Sequence, residues 1–167
     1  MIVLGCGPSG ADWNGDGYCI GVNDCFKFGR HPDRLIVINS NFEFERRQII
    51  EATKPKDGLW SHLTYWSRRP DYRPLATQQF RHHYQPGIIY HSKTSPFVAL
   101  SMAATLGAAE IVMYGVDFDN HPIVKDYVLE EEKNTYLRFI KFLESKNIKV
   151  YLGTKSGCFK NSLPIKG

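Results

Sequence analysis

The sequence predicts an α/β fold, with a mostly parallel sheet of about six strands and helices on both of its faces. Short, β-branched, continuously apolar runs recur along the chain, as strands covered on both sides require. Helical patterns lie between them, and the first run stops at a glycine-rich turn, Gly5-Cys6-Gly7-Pro8-Ser9-Gly10. With 167 residues, the chain fits one domain over 1–167 and can bury a core without disulfide staples.

The first strand is expected at Ile2–Leu4 and the second at Tyr18–Val22, after the turn-rich stretch Asp12–Gly17. Leu35–Ile38 is the third, Ile88–Tyr90 the fourth, Ile111–Gly115 the fifth and Ile148–Leu152 the sixth. The pattern over Asn41–Thr53 predicts a helix with Phe42, Ile49 and Ile50 on one side. Ser95–Leu106 predicts a second, with Ser95 as N-cap, Pro96 at the first helical position and Gly107 closing the end. It is apolar almost all round, so it should be deeply buried. Asp126–Lys146 predicts a long amphipathic helix that turns Leu129, Tyr136, Leu137, Ile140 and Leu143 inward. The stretch Lys54–Pro86 differs: it carries Pro55, Pro70, Pro74 and Pro86, many aromatics, and Arg68, Arg69, Arg73 and Arg81. It reads as an irregular basic and aromatic excursion over the sheet edge, with one short strand at Leu63–Trp66.

The bulk properties narrow the function classes. A net charge of +4 and a pI of about 8.8 suit an anionic ligand but fall short of a nucleic-acid signature. Cys6, Cys19, Cys25 and Cys158 form no CxxC pair and no zinc spacing, so free thiols in a reducing compartment are expected. The first apolar run is too short for a signal peptide, and no segment approaches the roughly 20 apolar residues of a membrane span. A soluble, cytoplasmic protein without a membrane partner is the expectation.

In an open parallel sheet, ligands bind beyond the carboxyl ends of the strands. The turn of Gly5, Cys6, Gly7, Pro8 and Ser9 lies at that edge. Its glycines allow close backbone approach, and its amides with the Ser9 hydroxyl are candidate donors to phosphate oxygens. Pro8 breaks the GxGxxG pattern, and there is no Walker lysine; the rival is a tight structural turn. Asn23 and Asn39 end the second and third strands, where amides suit a base or ribose, or simply cap the next helix. Thr94 and Ser95 open the buried helix, whose N-terminus favours phosphate. Asp117 and Asp119 come after the fifth strand, placed to bind hydroxyls, hold a metal or brace the loop. Asp12–Gly17 opens like a calcium loop, but its twelfth position is Asn23 rather than glutamate, so a polar turn is expected. His82 and His83 belong to a solvated loop face.

Taken together, Gly-x-Gly-Pro-Ser, the strand ending in Asn23, Thr94-Ser95 and the run Tyr114-Gly115-Val116-Asp117-Phe118 resemble the bacterial sialyltransferases of glycosyltransferase family 42. The chain is similar also to the related Rossmann-like group that includes 6-hydroxymethylpterin diphosphokinase. The likeness is dense over residues 2–9, 18–28 and 94–118, with an echo in Lys133-Asn134-Thr135. It implies a Rossmann-like nucleotide-binding domain and a CMP-linked sugar donor held by the glycine loop, Asn23 and Thr94-Ser95. It implies transfer with no cofactor and no metal. Cys6 stands where the family has a donor-contacting asparagine, and Glu131 where it has a histidine base. The family's lid is cut to about His121–Asp126, so donor cover must come from Lys54–Pro86 or a partner subunit in a homo-oligomer.

The expected function is therefore glycosyl transfer from a nucleotide-activated sugar. Gly5, Cys6, Gly7, Pro8, Ser9, Asn23, Asn39, Thr94 and Ser95 bind the donor in this reading. Asp117 and Glu131 are catalytic, and Asp119 meets the sugar or ribose. Arg68, Arg69, Arg73 and Arg81 face an acidic acceptor, nucleic acid included. The alternatives are a magnesium-dependent diphosphokinase-like transferase, with Asp117 and Asp119 on the metal, or a protein that binds or sequesters nucleotide without turnover.

Overall fold

The computed structural model describes residues 1–39, 44–81, 83–118 and 125–167, and side chains from residue 48 onward in the first helix. Seven strands build the main sheet: β1 (Ile2–Leu4), β2 (Cys19–Val22), β3 (Arg34–Ile36), β4 (Leu59–Ser61), β5 (Tyr72–Pro74), β8 (Glu110–Tyr114) and β9 (Lys149–Leu152). Between β5 and β8 in sequence come β6 (Gln78–Gln79) and β7 (Tyr90–His91), which pair with each other in a separate small sheet. The helices are α1 (Phe44–Ala52), α2 (Ser95–Thr105) and α3 (Asp126–Glu144).

The main sheet runs in the order β5-β4-β3-β2-β1-β8-β9, and every pairing in it is parallel. The chain lays down β1 and moves outward through β2 to β5. It then returns to the other side of β1 for β8 and β9. Strand order therefore reverses at β1, the switch point beyond whose carboxyl ends open α/β sheets bind their ligands.

Alternation along the central strands separates two cores, because successive strand residues point to opposite faces. Val3, Ile20, Ile36 and Met113 face a core filled by α2 and by Tyr136, Phe139, Ile140 and Leu143 of α3. Leu4, Cys19 and Leu35 face the other, with Ile50 of α1, Trp13, Phe26 and Trp66. The continuous burial of Phe97 through Ala104 explains why α2 shows no polar stripe. No described helix is long and apolar enough to cross a membrane.

The structure departs from expectation in the middle of the chain. The excursion contributes β4 and β5, so the main sheet has seven strands rather than about six. The expected strand at Leu63–Trp66 is instead a 3-10 turn over Thr64–Arg68, which drives Trp66 into the core at 2 % exposure. The fourth run does not enter the main sheet; Tyr90–His91 pairs with Gln78–Gln79. These strands are two or three residues long, so their pairing rests on long-range hydrogen bonds rather than on any local period.

Candidate active site

Two turns meet above the β1/β8 boundary. The Gly5 amide donates to the Tyr114 carbonyl at 2.8 Å, and the Gly7 amide to the Gly115 carbonyl at 2.8 Å. A Cβ on Gly5 would lie 2.2 Å from the Gly115 oxygen, and one on Gly7 2.4 Å from Asp117 Oδ2. Gly115 itself has φ +67°, and a Cβ there would stand 2.6 Å from the Gly5 oxygen. Glycine is thus required because two backbones touch.

Ser9 and Asp117 lock the same junction. The Ser9 amide donates to Asp117 Oδ2 at 2.9 Å, its hydroxyl donates to Asp117 Oδ1, and it accepts from the Gly115 amide at 2.8 Å. Both residues are buried. The Asp117 carbonyl accepts from the Cys158 amide at 2.8 Å. The phosphate-donating amides expected at Gly5, Gly7 and Ser9 are therefore spent inside the protein, and Asp117 braces the loop. Pro8 has no amide to give and starts the one-turn 3-10 segment Pro8–Asp12. The Cys6 thiol donates to the Val22 carbonyl at 3.2 Å. Burial, reinforced by the neighbouring Asp24 carboxylate, pushes its pKa up, so it is a packing thiol rather than a nucleophile.

One step along the sheet edge, three expected residues come together. Asn23 follows β2 with φ 49°, a left-handed conformation that asparagine tolerates. Its Nδ2 donates to Ser95 Oγ at 3.3 Å, and the Ser95 hydroxyl donates to Asn39 Oδ1 at 3.0 Å. Asn23 Oδ1 is buried and has no partner among the described residues. Thr94, not Ser95, is the N-cap of α2; Ser95 is its first residue, and Pro96 comes next.

The Thr94 hydroxyl does not fold back onto its own helix. It donates to Glu132 Oε1 at 3.3 Å and lies 2.9 Å from the Tyr136 hydroxyl. Glu132 Oε1 also accepts from the Lys93 amide at 3.1 Å and from the Ser92 hydroxyl. Glu132 is only 1 % exposed, and burial pushes its pKa up against the pull of these donors. The sequence reading missed Glu132. Its one signal was a charge on the apolar stripe of α3, between Leu129 and Tyr136 at i+3 and i−4.

Glu131, the expected base, lies on the exposed side of the same Ser92–Thr94 turn. It is exposed and paired with Lys93, whose ammonium holds its carboxyl below the usual range. It lines one end of an open groove of about 660 Å³ along α3, which Arg138, Ser162 and Leu163 also line. Asp119 and His82 lie outside the described residues.

The four arginines play different parts. Arg69 is mostly buried, and its guanidinium donates to the carbonyls of Ile50 (2.8 Å), Glu51 (3.1 Å) and Thr53 (2.5 Å) at the end of α1. It also grips Asp71 with two bonds of 2.8 and 2.7 Å. This corrects its expected acceptor role: its donors are consumed capping a helix. Arg68, Arg73 and Arg81 are exposed on three separate elements, a 3-10 turn, the edge strand β5 and the segment after β6. Among the described residues no group of three or more His, Cys, Asp or Glu side chains comes together as a metal site.

No family model matches the chain, and no curated protein matches it in sequence. Solved structures do match in fold. An α-2,3/8-sialyltransferase CstII variant superposes with a TM-score of 0.64 at 17 % identity, covering 99 % of this chain and 86 % of that one. CstII from Campylobacter jejuni in complex with a substrate analogue, CMP-3FNeuAc, gives 0.62 at 16 % identity, over 99 % and 84 %. CST-II in complex with a trisaccharide acceptor and CMP gives 0.62 at 16 % identity, over 99 % and 86 %. At these identities the likeness establishes architecture: the chain has the α/β, Rossmann-like fold of the CstII sialyltransferases.

Proposed function

We propose that the protein is a glycosyltransferase of the family 42 sialyltransferase kind, taking a CMP-linked sugar as donor. The observation that carries this reading is the Asn23–Ser95–Asn39 chain, with the Asn23 carbonyl oxygen buried and unpartnered among the described residues. An unpaired acceptor in such a place costs stability unless a ligand supplies a donor. An exocyclic base amine or a ribose hydroxyl supplies one; a phosphate does not. The phosphate then belongs at the N-terminus of α2, where the helix dipole stabilises the charge that grows as CMP departs. Solved structures of the same fold are complexes with CMP or a CMP-sugar analogue, which supports a cytidine nucleotide as the ligand class.

In transfer, the bond from the anomeric carbon to the phosphate oxygen breaks and CMP leaves with the electron pair. The acceptor hydroxyl oxygen bonds to that carbon, and its proton goes to a base. Glu131 is the candidate for that proton. Held ionised by Lys93 it is a weak base, so rate must come mainly from orientation and from stabilising the leaving phosphate. The groove along α3 that begins at Glu131 is where an acceptor would lie. The engaged carboxylate of Glu131 also favours a second reading, nucleotide binding without turnover.

Melting the protein with CMP, CDP, UDP, GDP and ATP, each with and without magnesium, tests the proposal. A ligand at about 100 times its Kd stabilises by about 2.7 kcal/mol. A shift with CMP independent of magnesium is expected. A shift only with ATP and magnesium would overturn the reading in favour of phosphoryl transfer. Release of CMP from CMP-sialic acid separates the enzyme from the binder.

A further inference from the structure

The turn Ser92–Thr94 enters α2, and three of its polar groups converge on one oxygen of one side chain. The Ser92 hydroxyl, the Lys93 amide and the Thr94 hydroxyl all donate to Glu132 Oε1. The Glu132 side chain reaches them from α3, about 40 residues further along the chain, and Tyr136, one turn later, contacts the Thr94 hydroxyl. Glu132 is 1 % exposed and Tyr136 is fully buried, so the arrangement is held by packing on every side.

We infer that Glu132 is a positioning residue for the ligand crevice: it fixes the Ser92–Thr94 turn and so aims Ser95 and the first turn of α2. The inference rests on the proposed nucleotide binding. Its physical basis is the cost of placing a carboxylate in a core. A buried carboxylate is tolerated only where donors converge on it, and here all the described donors come from one turn. Loss of the carboxylate removes the shared acceptor of three groups at once, and leaves the N-cap hydroxyl only its contact with Tyr136. The next residue, Ser95, bridges Asn23 and Asn39. Motion of the turn is therefore passed through Ser95 to the Asn23 side-chain amide, which carries the unpartnered oxygen. Glu131, its neighbour, is exposed and binds the Lys93 ammonium instead, so adjacent glutamates hold the same turn from opposite sides. Only the buried one reaches the N-cap.

Two measurements test this, one without ligand and one with it. Amide hydrogen exchange of the free protein should accelerate at least tenfold over residues 93–98 in Glu132→Ala, with exchange in β1 and β8 unchanged. Glu132→Gln keeps an oxygen that accepts from the same donors, so it should restore protection. Ser92→Ala removes one donor without opening the core and should loosen the turn by a smaller factor, even if Glu132→Ala folds poorly. CMP affinity should fall about tenfold in Glu132→Ala, a change of about 1.4 kcal/mol, and stay within about threefold in Glu132→Gln. Unchanged exchange over 93–98 in both Glu132→Ala and Ser92→Ala overturns the inference. So does a loosened turn that binds CMP as tightly as the parent. If the parent binds no nucleotide, the proposed function fails, and exchange alone then decides whether Glu132 sets the turn.

Discussion

The turn after β1 and the turn before α2 stand side by side at the top of the sheet and use their polar groups in opposite ways. Around Gly5, Gly7 and Ser9, amides and hydroxyls are consumed by Tyr114, Gly115 and Asp117. Around Asn23, Asn39 and Ser95, side chains form an open chain that leaves one buried acceptor unpartnered among the described residues. The first turn is joinery between neighbouring strands; the second keeps an acceptor unfilled, where the proposed nucleotide would bind. A glycine-rich loop at the carboxyl edge of a parallel sheet invites a phosphate reading. Here the glycines answer a closer demand, the contact of two backbones. Capacity left unfilled is the better pointer to a ligand than glycine content.

Four experiments can break or sharpen that contrast. Gly5→Ala forces a Cβ to 2.2 Å from a backbone oxygen that cannot move without parting β1 from β8. It should destabilise by about 3 kcal/mol or more in urea unfolding, as severe overpacking does. A stable Gly5→Ala protein would mean that the turns after β1 and β8 do not touch. Asp117→Ala strands the buried Ser9 amide and hydroxyl, at a cost of about 2 kcal/mol by the same measurement. If Asp117→Ala instead kept full stability and lost CMP binding, the bracing role would be refuted.

Arg69→Ala should cost about 2 kcal/mol through the lost caps on α1, whereas Arg73→Ala should change stability by less than about 0.5 kcal/mol. The Arg69 guanidinium holds the Asp71 carboxyl below its ordinary value of 3.8. A depressed folded pKa stabilises above the unfolded value and is lost as pH falls through the folded one. The difference between parent and Arg69→Ala should therefore be full at neutral pH and shrink below about pH 4. A constant difference down to pH 2 would remove Asp71 from the explanation. Asn23→Gly keeps the positive φ and removes only the side chain. Its stability should move by less than about 0.5 kcal/mol, while CMP affinity falls about tenfold. A large loss of stability with CMP affinity unchanged would make Asn23 joinery as well.

Much of the scaffold is legible in the chain. β1, β2, β3, β8 and β9 fall inside or within a residue of apolar runs, and α2 and α3 match their caps and periods to within two residues. Those elements are long or apolar enough for local preference and burial to agree. β4, β5 and β6 are not legible, because two or three residues carry no period, and only their partners make them strands. At the site, Asn23, Asn39 and Ser95 were visible as polar residues at strand ends and a helix start. Glu132 passed as one more charge on a charged helix until the turn it holds was seen in space.

The amino-acid order by itself determined a parallel α/β sheet with its first turn at the carboxyl edge, since side-chain period, capping and turn chemistry act over a few residues. Only the tertiary structure decided that Gly5 and Gly7 serve a backbone contact, that Arg69 caps a helix, and that Glu132 rather than Glu131 reaches the N-cap of α2. Each of those outcomes depends on which donor and acceptor meet across tens of residues. A hydrogen bond is assigned by distance in space, and no local pattern encodes it.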